Sequence, residues 1–479
     1  MLRVSTPRRA VVKLSAALLV LVSCEASSPA ASTMMTAAGD TVQLSLMRTG
    51  SGSGDVLVSS GIPLPPGWLQ PGATANVAVT VGGQEQAIYI EPLVSRHADG
   101  SLRSILVQFR HALSAGTPVA AALVIGPDVT RGTTDLTKAA VSSLPAAVAL
   151  PTSAEYLVST LLVGPTIPVA QSPFATYESN FVQYGNSHWA SEAGDYYFGY
   201  YERSLAWFAY WVRTGTSEYW RRGMIDLLAY RDDFLVRNGW YMQPHDAFFE
   251  ALGVHYLLTG DELDRTGIGR SGHDPFYTWW FNQLALSNPA ELEARIAART
   301  LLTFLAAWRY NVPSAQGHNW TTLTRQTLDR ILAKQGADGS WKFRGTYDEQ
   351  WNFMAGIMMD ALIKYYEWFE ADPRIPASIQ GTLDYLWNTQ WIPSARAFRY
   401  ASGNPPISDP SGSTPVPDLN LLICHSYSWY YSLAPGSRGV YKTRADECFN
   451  GGIAGAWLDG FKQFNQNYQV SFRHLSYRR

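Results

Sequence analysis

Five times between residues 205 and 436 the chain leaves an aromatic-rich apolar stretch through the same kind of exit. Tyr210-Trp-Val-Arg-Thr-Gly-Thr216 is echoed by His255-Tyr-Leu-Leu-Thr-Gly-Asp261. Looser versions occur at Trp308-Arg-Tyr-Asn-Val-Pro313, Tyr365-Tyr-Glu-Trp-Phe-Glu-Ala-Asp-Pro373 and Trp429-Tyr-Tyr-Ser-Leu-Ala-Pro-Gly436. The exits recur about every 45–65 residues, which suits a repeated helix hairpin. Helical patterning covers 195–213, 216–236, 246–259, 274–287, 291–311, 319–335, 350–369, 375–389, 419–433 and 441–466. Hairpins whose inner and outer helices alternate close into a ring; stacked in an open arc they make a solenoid.

Alternation has a consequence for chemistry. If successive helices run up and down, every second connection opens on the same face. One face collects the segment before the first helix, then 237–245, 288–290, 336–349 and 390–418. It holds the longer loops, and the inner helices turn their positive ends toward it, which favours an anion there. The central stretch is Trp240 to Asp261, where an aromatic loop enters a helix just after Pro244 and leaves through Thr259-Gly260. Its polar groups His245, Asp246 and Glu250 crowd the amino-terminal half, as on a helix lining a site.

The first 24 residues read as an export signal, with Arg3, Arg8, Arg9 and Lys13 before a short apolar run from Leu14 to Val22. Leu21-Val-Ser-Cys24 resembles the lipobox of bacterial lipoproteins, which implies a lipidated Cys24 and a membrane anchor in the cell envelope. Arg8-Arg9 also resembles a twin-arginine signal. Residues 25–40, rich in Ala, Ser and Thr, read as a tether. From 41 to 127 the apolar pattern has period two, broken by turns at Gly82-Gly83 and Asp99-Gly100, which predicts a β-sandwich or small barrel. Residues 128–180, punctuated by prolines, read as a connector, and 181–479 as the helical domain.

Gly61-Ile-Pro-Leu-Pro-Pro-Gly-Trp68 and His97-Ala-Asp-Gly-Ser-Leu-Arg103 resemble the amino-terminal β-domain of exo-acting rhamnogalacturonan-lyase-like proteins, with His97-Ala98 where those carry Trp-Pro. Tyr256-Leu-Leu-Thr-Gly-Asp261 and Gln335-Gly-Ala-Asp-Gly-Ser-Trp341 resemble junctions in (α/α) toroid glycosidases and polysaccharide lyases. The expected architecture is a β-sandwich or barrel followed by an (α/α) toroid of five to six hairpins.

On the loaded face the candidates are Asn186, His188, Trp189 and Glu192, then Trp240, Tyr241, Gln243, His245 and Asp246. Lys342, Arg344, Tyr347, Asp348 and Glu349 come next, with Arg396, Arg399 and Tyr400. Four cations, Lys342, Arg344, Arg396 and Arg399, in a chain of net charge −2 suit a carboxylate-bearing sugar, and the same groups could equally form surface ion pairs with Asp348, Glu349 and Asp409. That near-neutral charge argues against nucleic acid as a partner. Uronate β-elimination needs a neutralised carboxylate, a base for the α-proton and an acid for the departing oxygen. His245, Tyr347, Tyr400 and His188 are the catalytic candidates; Arg344, Arg399, Asn186 and Gln243 could hold the carboxylate. Hydrolysis would instead pair Asp246 with Asp348 or Glu349, or use Glu192. A lipoprotein that grips glycan without cutting it would use the same aromatics and cations.

Elsewhere the signals are weaker. His318 falls on the opposite face, His425 within an inner helix, and Arg473, His474 and Tyr477 in a tail long enough to return across a face. No metal-ligand spacing, phosphate loop or dinucleotide fingerprint is present, so no cofactor is expected, and Ca²⁺ stays open. Cys424 and Cys448 fall nearly level on an antiparallel hairpin, which fits either a disulfide or two buried thiols.

Overall fold

The computed structural model describes residues 40–133, 135–287, 292–342, 349–402 and 412–479. Cys24, Arg344, Tyr347, Asp348, Asp409 and the 288–290 loop lie outside them. The described residues belong to one compact unit. Among the described residues no helix is long and apolar enough to cross a membrane.

The amino-terminal part is a single eight-stranded sheet in the order β4-β3-β7-β1-β8-β2-β6-β5. Its strands are β1 (Asp40–Arg48), β2 (Ser53–Pro63), β3 (Val77–Val81), β4 (Gln84–Glu85), β5 (Tyr89–Pro92), β6 (Ser104–Ser114), β7 (Val119–Ile125) and β8 (Ala147–Pro151). The longest pairing runs β2 against β6, from Ser53 opposite Ser114 to Pro63 opposite Ser104. The sheet curls around its own core, which includes Leu44, Val58, Ile62, Val79, Ile105, Phe109 and Leu123. The stretch expected as a connector supplies β8, which lies between β1 and β2. Ala-Val-Ala-Leu-Pro is buried along its whole length, so it has no alternation to reveal it as a strand.

The helices are α1 (Ala154–Ser159), α2 (Ala175–Glu192), α3 (Arg203–Thr214), α4 (Ser217–Leu228), α5 (Glu250–Thr259), α6 (Glu262–Ser271), α7 (Phe281–Gln283), α8 (Ala294–Arg309), α9 (Trp320–Leu332), α10 (Asn352–Trp368), α11 (Arg374–Tyr385), α12 (Asn420–Ser432), α13 (Gly439–Gly455), α14 (Phe461–Tyr468) and α15 (His474–Tyr477). Helices α3, α5, α8, α10 and α12 form the inner layer, each hairpinned to the outer α4, α6, α9, α11 or α13. Nearly every residue of α3, α5, α10 and α12 is buried, whereas α4, α9 and α11 keep one polar face. Helix α14 touches α12 on one side and α2 and α3 on the other, which closes the ring into an (α/α) toroid.

Several helix boundaries depart from the sequence pattern. Helix α2 occupies residues expected as connector and lead-in. Helix α6 begins at Glu262, directly after its cap Asp261, where a loop was expected. Its glycines depress helix propensity, but Gly267 is where the Trp240 ring seats, leaving no room for a side chain. The stretch expected as one helix over 441–466 is broken at 456–460, and its second half becomes the closing helix α14.

Sheet and ring share helix α5. Strand β2 approaches so closely that a Cβ on Gly61 would collide with the Leu257 carbonyl, and Ser104 Oγ donates to that same oxygen at 2.6 Å. The Val94 amide donates to Tyr256 Oη at 2.9 Å, and Gly260, at φ +75, ends the helix. Charge fills the middle of the ring. Glu250 of α5 pairs with Lys364 of α10 and, at 2.6 Å, with Arg473 from the carboxy-terminal turn. Lys364 also meets Asp360 at 2.8 Å, while Arg473 Nη1 lies 3.4 Å and His425 Nε2 3.5 Å from Asp360. Burial alone would raise the Asp360 carboxyl; Lys364, His425 and Arg473 overcome it and hold the group below the ordinary carboxylate range. The tail therefore returns through the centre of the ring and not across a face, and Arg473, His474 and Tyr477 are buried there.

Breaking such a network by removing one partner strands the opposing charges in a dry interior, at a cost of about 3–5 kcal/mol. Arg473→Met is expected to destabilise the protein by about that much in denaturant unfolding. A loss below about 1 kcal/mol would show that the central pairs do not hold the ring together.

Candidate active site on the ring

One rim of the toroid gathers groups that are far apart in sequence. The run Tyr196-Tyr-Phe-Gly-Tyr-Tyr201 forms a short 3₁₀ turn before α3 and not the helical start its spacing suggested. Asn465 of α14 fixes this turn by donating to the Phe198 and Tyr200 carbonyls at 2.8 and 2.6 Å. Tyr201 and Glu202 then take left-handed backbone at φ 62 and 56, a strain of roughly 1–3 kcal/mol each. Packing over-determines both: Tyr201 is buried, and the Glu202 carboxylate caps α5 by accepting from the Ala251 amide at 2.6 Å.

Opposite that turn, Pro244–Asp246 makes a second 3₁₀ turn that carries His245 and Asp246. Tyr230 staples the chain just beyond it, its hydroxyl donating to the Asp246 carbonyl at 2.6 Å and accepting from the Phe248 amide at 3.1 Å. Between the two turns lies a pocket of about 360 Å³ lined by Tyr196, Tyr197, Tyr200, Tyr230, Phe234, Asp246, Phe248, Phe461 and Lys462. His245 Nε2 stands 3.4 Å from Asp246 Oδ2, and its ring lies 6.4 Å from that of Tyr200. Arg295 donates to Tyr200 Oη at 3.1 Å and to Glu293 at 2.9 Å.

Burial pushes the Asp246 carboxyl above its ordinary value, opposed in part by His245, Arg295 and Arg299. The ammonium of Lys462 is pushed down by burial and by neighbouring Arg295. An aromatic box therefore holds a carboxyl disposed to keep its proton, an imidazole beside it and two cations at its edge. Beneath the box, burial and then Glu250 raise Glu202 to about 7.

The expected candidates divide. His245 and Asp246 stand together on the rim. Tyr400 joins them through a chain of contacts: its ring stacks on Phe353 at 5.5 Å, and Arg295 lies over Phe353 at 5.7 Å. Tyr241 and Gln243 are exposed on the His245 loop. The others go elsewhere. His188 is buried on α2, bonded to the Leu458 carbonyl at 2.8 Å and 3.2 Å from Glu192, and Glu192 is held by Arg203. Trp189 packs under Arg221 and Arg222, while Asn186 faces outward on the same helix. Trp240 is a core residue on Gly267 and not a sugar platform. Lys342 pairs with Asp338 at 3.8 Å and lines a separate hollow with Arg330 and Lys334. Glu349 is buried, Arg396 is exposed at φ +50, and Arg399 is half-buried with Nε unbonded. Cys424 and Cys448 are buried free thiols whose Sγ atoms face the Leu421 and Asn420 carbonyls, so the disulfide alternative does not hold.

The cations of the pocket, Lys462 and Arg295, were not among the expected ones. The tyrosine run at 196–201 was the available signal, a density of rings no helix needs. His255, Asp261 and Asp264 have metal-like spacing, but Arg231 already neutralises the two carboxylates at 2.8 and 2.9 Å. His425 sits in the central charge network, and His318 bonds His273 at 2.9 Å on the far side.

No protein-family model and no curated protein matches the chain. Among solved structures it is similar to a polysaccharide lyase at a TM-score of 0.42, with 12% identity over 63% of this chain and 98% of that one. It is also similar to a glycosyl hydrolase family 88 protein from Bacteroides vulgatus at a TM-score of 0.43, with 12% identity over 64% of this chain and 100% of the other.

Glu202 supplies a test of the buried rim. A carboxyl raised to about 7 binds a proton that the unfolded chain has released, so its contribution is full below the unfolded value and is lost as pH rises through 7. Wild-type stability is expected to fall between roughly pH 4.5 and 7. Glu202→Gln flattens that fall; an unchanged slope would mean Glu202 ionises normally.

Proposed function

We propose that this protein acts on a uronate-containing polysaccharide, with β-elimination as the reaction. The observation that supports it most is the joining of His245, Asp246, Lys462 and Arg295 around one tyrosine-lined pocket. Tyrosine faces offer apolar area to a sugar ring and hydroxyls to its edges. Lys462 and Arg295 neutralise the sugar carboxylate, which acidifies the α-proton. His245 takes that proton, the electron pair forms the new C4=C5 bond, the C4–O bond breaks, and Asp246 returns a proton to the departing oxygen. A carboxyl whose protonated form is favoured by burial suits this last role.

The same property of Asp246 favours a second reading, hydrolysis with Asp246 as the acid, which would need a second carboxylate to activate water. The two reactions part on product: elimination creates an ultraviolet-absorbing unsaturated uronate, hydrolysis only new reducing ends. We also infer from the first 24 residues that the protein is exported and tethered to the cell envelope through Cys24. Radiolabelled lipid incorporation that survives Cys24→Ser would remove the tether.

Incubation with uronate polymers is expected to generate unsaturated ends. His245→Ala should lower turnover by roughly 10²–10⁴-fold with little change in melting temperature. Undiminished turnover would exclude the imidazole as base. In the wild type, turnover falls as rising pH deprotonates Asp246, at a pH above that of an ordinary aspartate because burial favours the protonated form. Asp246→Asn, which has no proton to give, should be nearly inactive at every pH, and a variant retaining the wild-type profile would assign that limb elsewhere.

A further inference from the structure

A larger hollow, of about 640 Å³, lies on the opposite face, between the 94–98 turn of the β-part and the carboxy-terminal ends of α8 and α10. Its chemistry differs from that of the rim pocket. Arg309, the last residue of α8, lays its guanidinium over the Trp368 indole, 3.9 Å from the ring centroid. Among the described residues no carboxylate stands within ion-pair distance of it. Arg96 on the adjoining turn donates only to the Leu93 and Ser95 carbonyls, at 2.8 and 2.9 Å. Behind Arg309 sits Arg103, 2% exposed, with Nη2 on the Leu161 and Leu162 carbonyls and the Tyr310 hydroxyl beside it.

The lining itself carries two guanidinium groups, Arg309 and the exposed Arg96, that form no ion pair among the described residues, so an anion entering the hollow meets positive charge not already neutralised at contact distance. Burial and then the Arg103 charge bring Arg309 down to about 9, with Tyr310 and Glu250 acting in the opposite sense. The two carboxylates of the lining do not compensate. Glu370 is taken by Arg325 at 2.9 Å. Glu367 accepts from Tyr477 Oη at 2.6 Å, and burial pushes its carboxyl up.

The remaining lining suits a sugar. Trp308, Trp368 and Tyr366 supply ring surface. His97 Nε2 bonds the Leu64 carbonyl at 2.8 Å, so the proton sits there and Nδ1 is left as an acceptor for a hydroxyl. Burial and Arg103 lower this imidazole to about 4, so it stays neutral.

We infer that this hollow is a second glycan-binding site, specific for a carboxylate-bearing sugar unit, in which Arg309 and Arg96 clasp the carboxylate and Trp308 and Trp368 take the sugar face. It is a binding site only and carries no catalytic group. Its truth does not depend on the reaction assigned to the rim.

Titration calorimetry in an Asp246→Asn, Tyr200→Ala background isolates it from the rim pocket. The probes are a galacturonate oligosaccharide, the same oligosaccharide with its carboxyls reduced to alcohols, and succinate. The acidic oligosaccharide is expected to bind, the reduced one at least tenfold more weakly, and Arg309→Met to weaken the acidic one by at least tenfold. Because Arg309 makes no ion pair at contact distance among the described residues, Arg309→Met should leave the melting temperature unchanged or raised, which a structural arginine would not. If that variant melts markedly lower, Arg96→Gln at the lip decides instead, with an expected loss of about threefold. Equal binding of acidic and reduced sugars, equal binding of succinate, or affinity untouched by whichever variant decides overturns the inference. Failure of turnover at the rim, with Arg309-dependent binding retained, would count against the elimination chemistry alone.

Discussion

The pairing of Glu250 with Lys364 and Arg473 is what the toroid is assembled around. Glu250 opens α5, Lys364 lies on α10, and Arg473 comes from the last turn of the chain. These three have no local reason to meet, and each would be costly to bury alone. Arg473 also donates to the Val163 carbonyl at 3.2 Å, so the centre of the ring is tied to the segment leading out of the sheet. A ring of inner helices leaves an axial space that apolar side chains do not fill here. Paired charges fill it, and the pairs tie α5, α10 and the tail to one another.

That placement positions the rim. Because Glu250 is held, the residues before it, His245 to Phe249, are delivered to the mouth of the ring. Because Glu202 caps α5 from a left-handed backbone, the tyrosine run before it folds back over the same mouth. The strained pair Tyr201-Glu202 is thus a hinge between the buried charges and the aromatic box. On the other face the same inner helices end against the sheet, where Trp308, Arg309 and Trp368 meet the 94–98 turn. The two faces differ in electrostatic character: the rim balances Asp246 and Glu293 against Lys462 and Arg295, while the junction leaves arginines unmatched.

Much of this architecture was legible. The repeated exits identified hairpins, and alternation put His245, Asp246 and Tyr400 on one rim. Legibility failed where a residue's role is set by burial. Trp240 carries the same ring as a sugar platform, yet Gly267 opposite makes a slot for it in the core. His188 and Trp189 looked like loop residues because α2 has little apolar periodicity. Arg295 and Lys462 gave no signal, since an arginine or a lysine in a first helical turn is common everywhere.

The sequence by itself determined most of the elements and their order: a period-two region, then helices of alternating buried and amphipathic character, two of the inner ones stopped by a glycine in left-handed backbone. These are local properties, written in the spacing of apolar residues. Tertiary structure decided which end of the chain closes the ring, which cations find carboxylates and which do not, and which aromatic rings face a pocket. Those outcomes depend on side chains up to roughly 300 positions apart meeting in a medium of low polarity, where the energy of a charge is set by its neighbours in space.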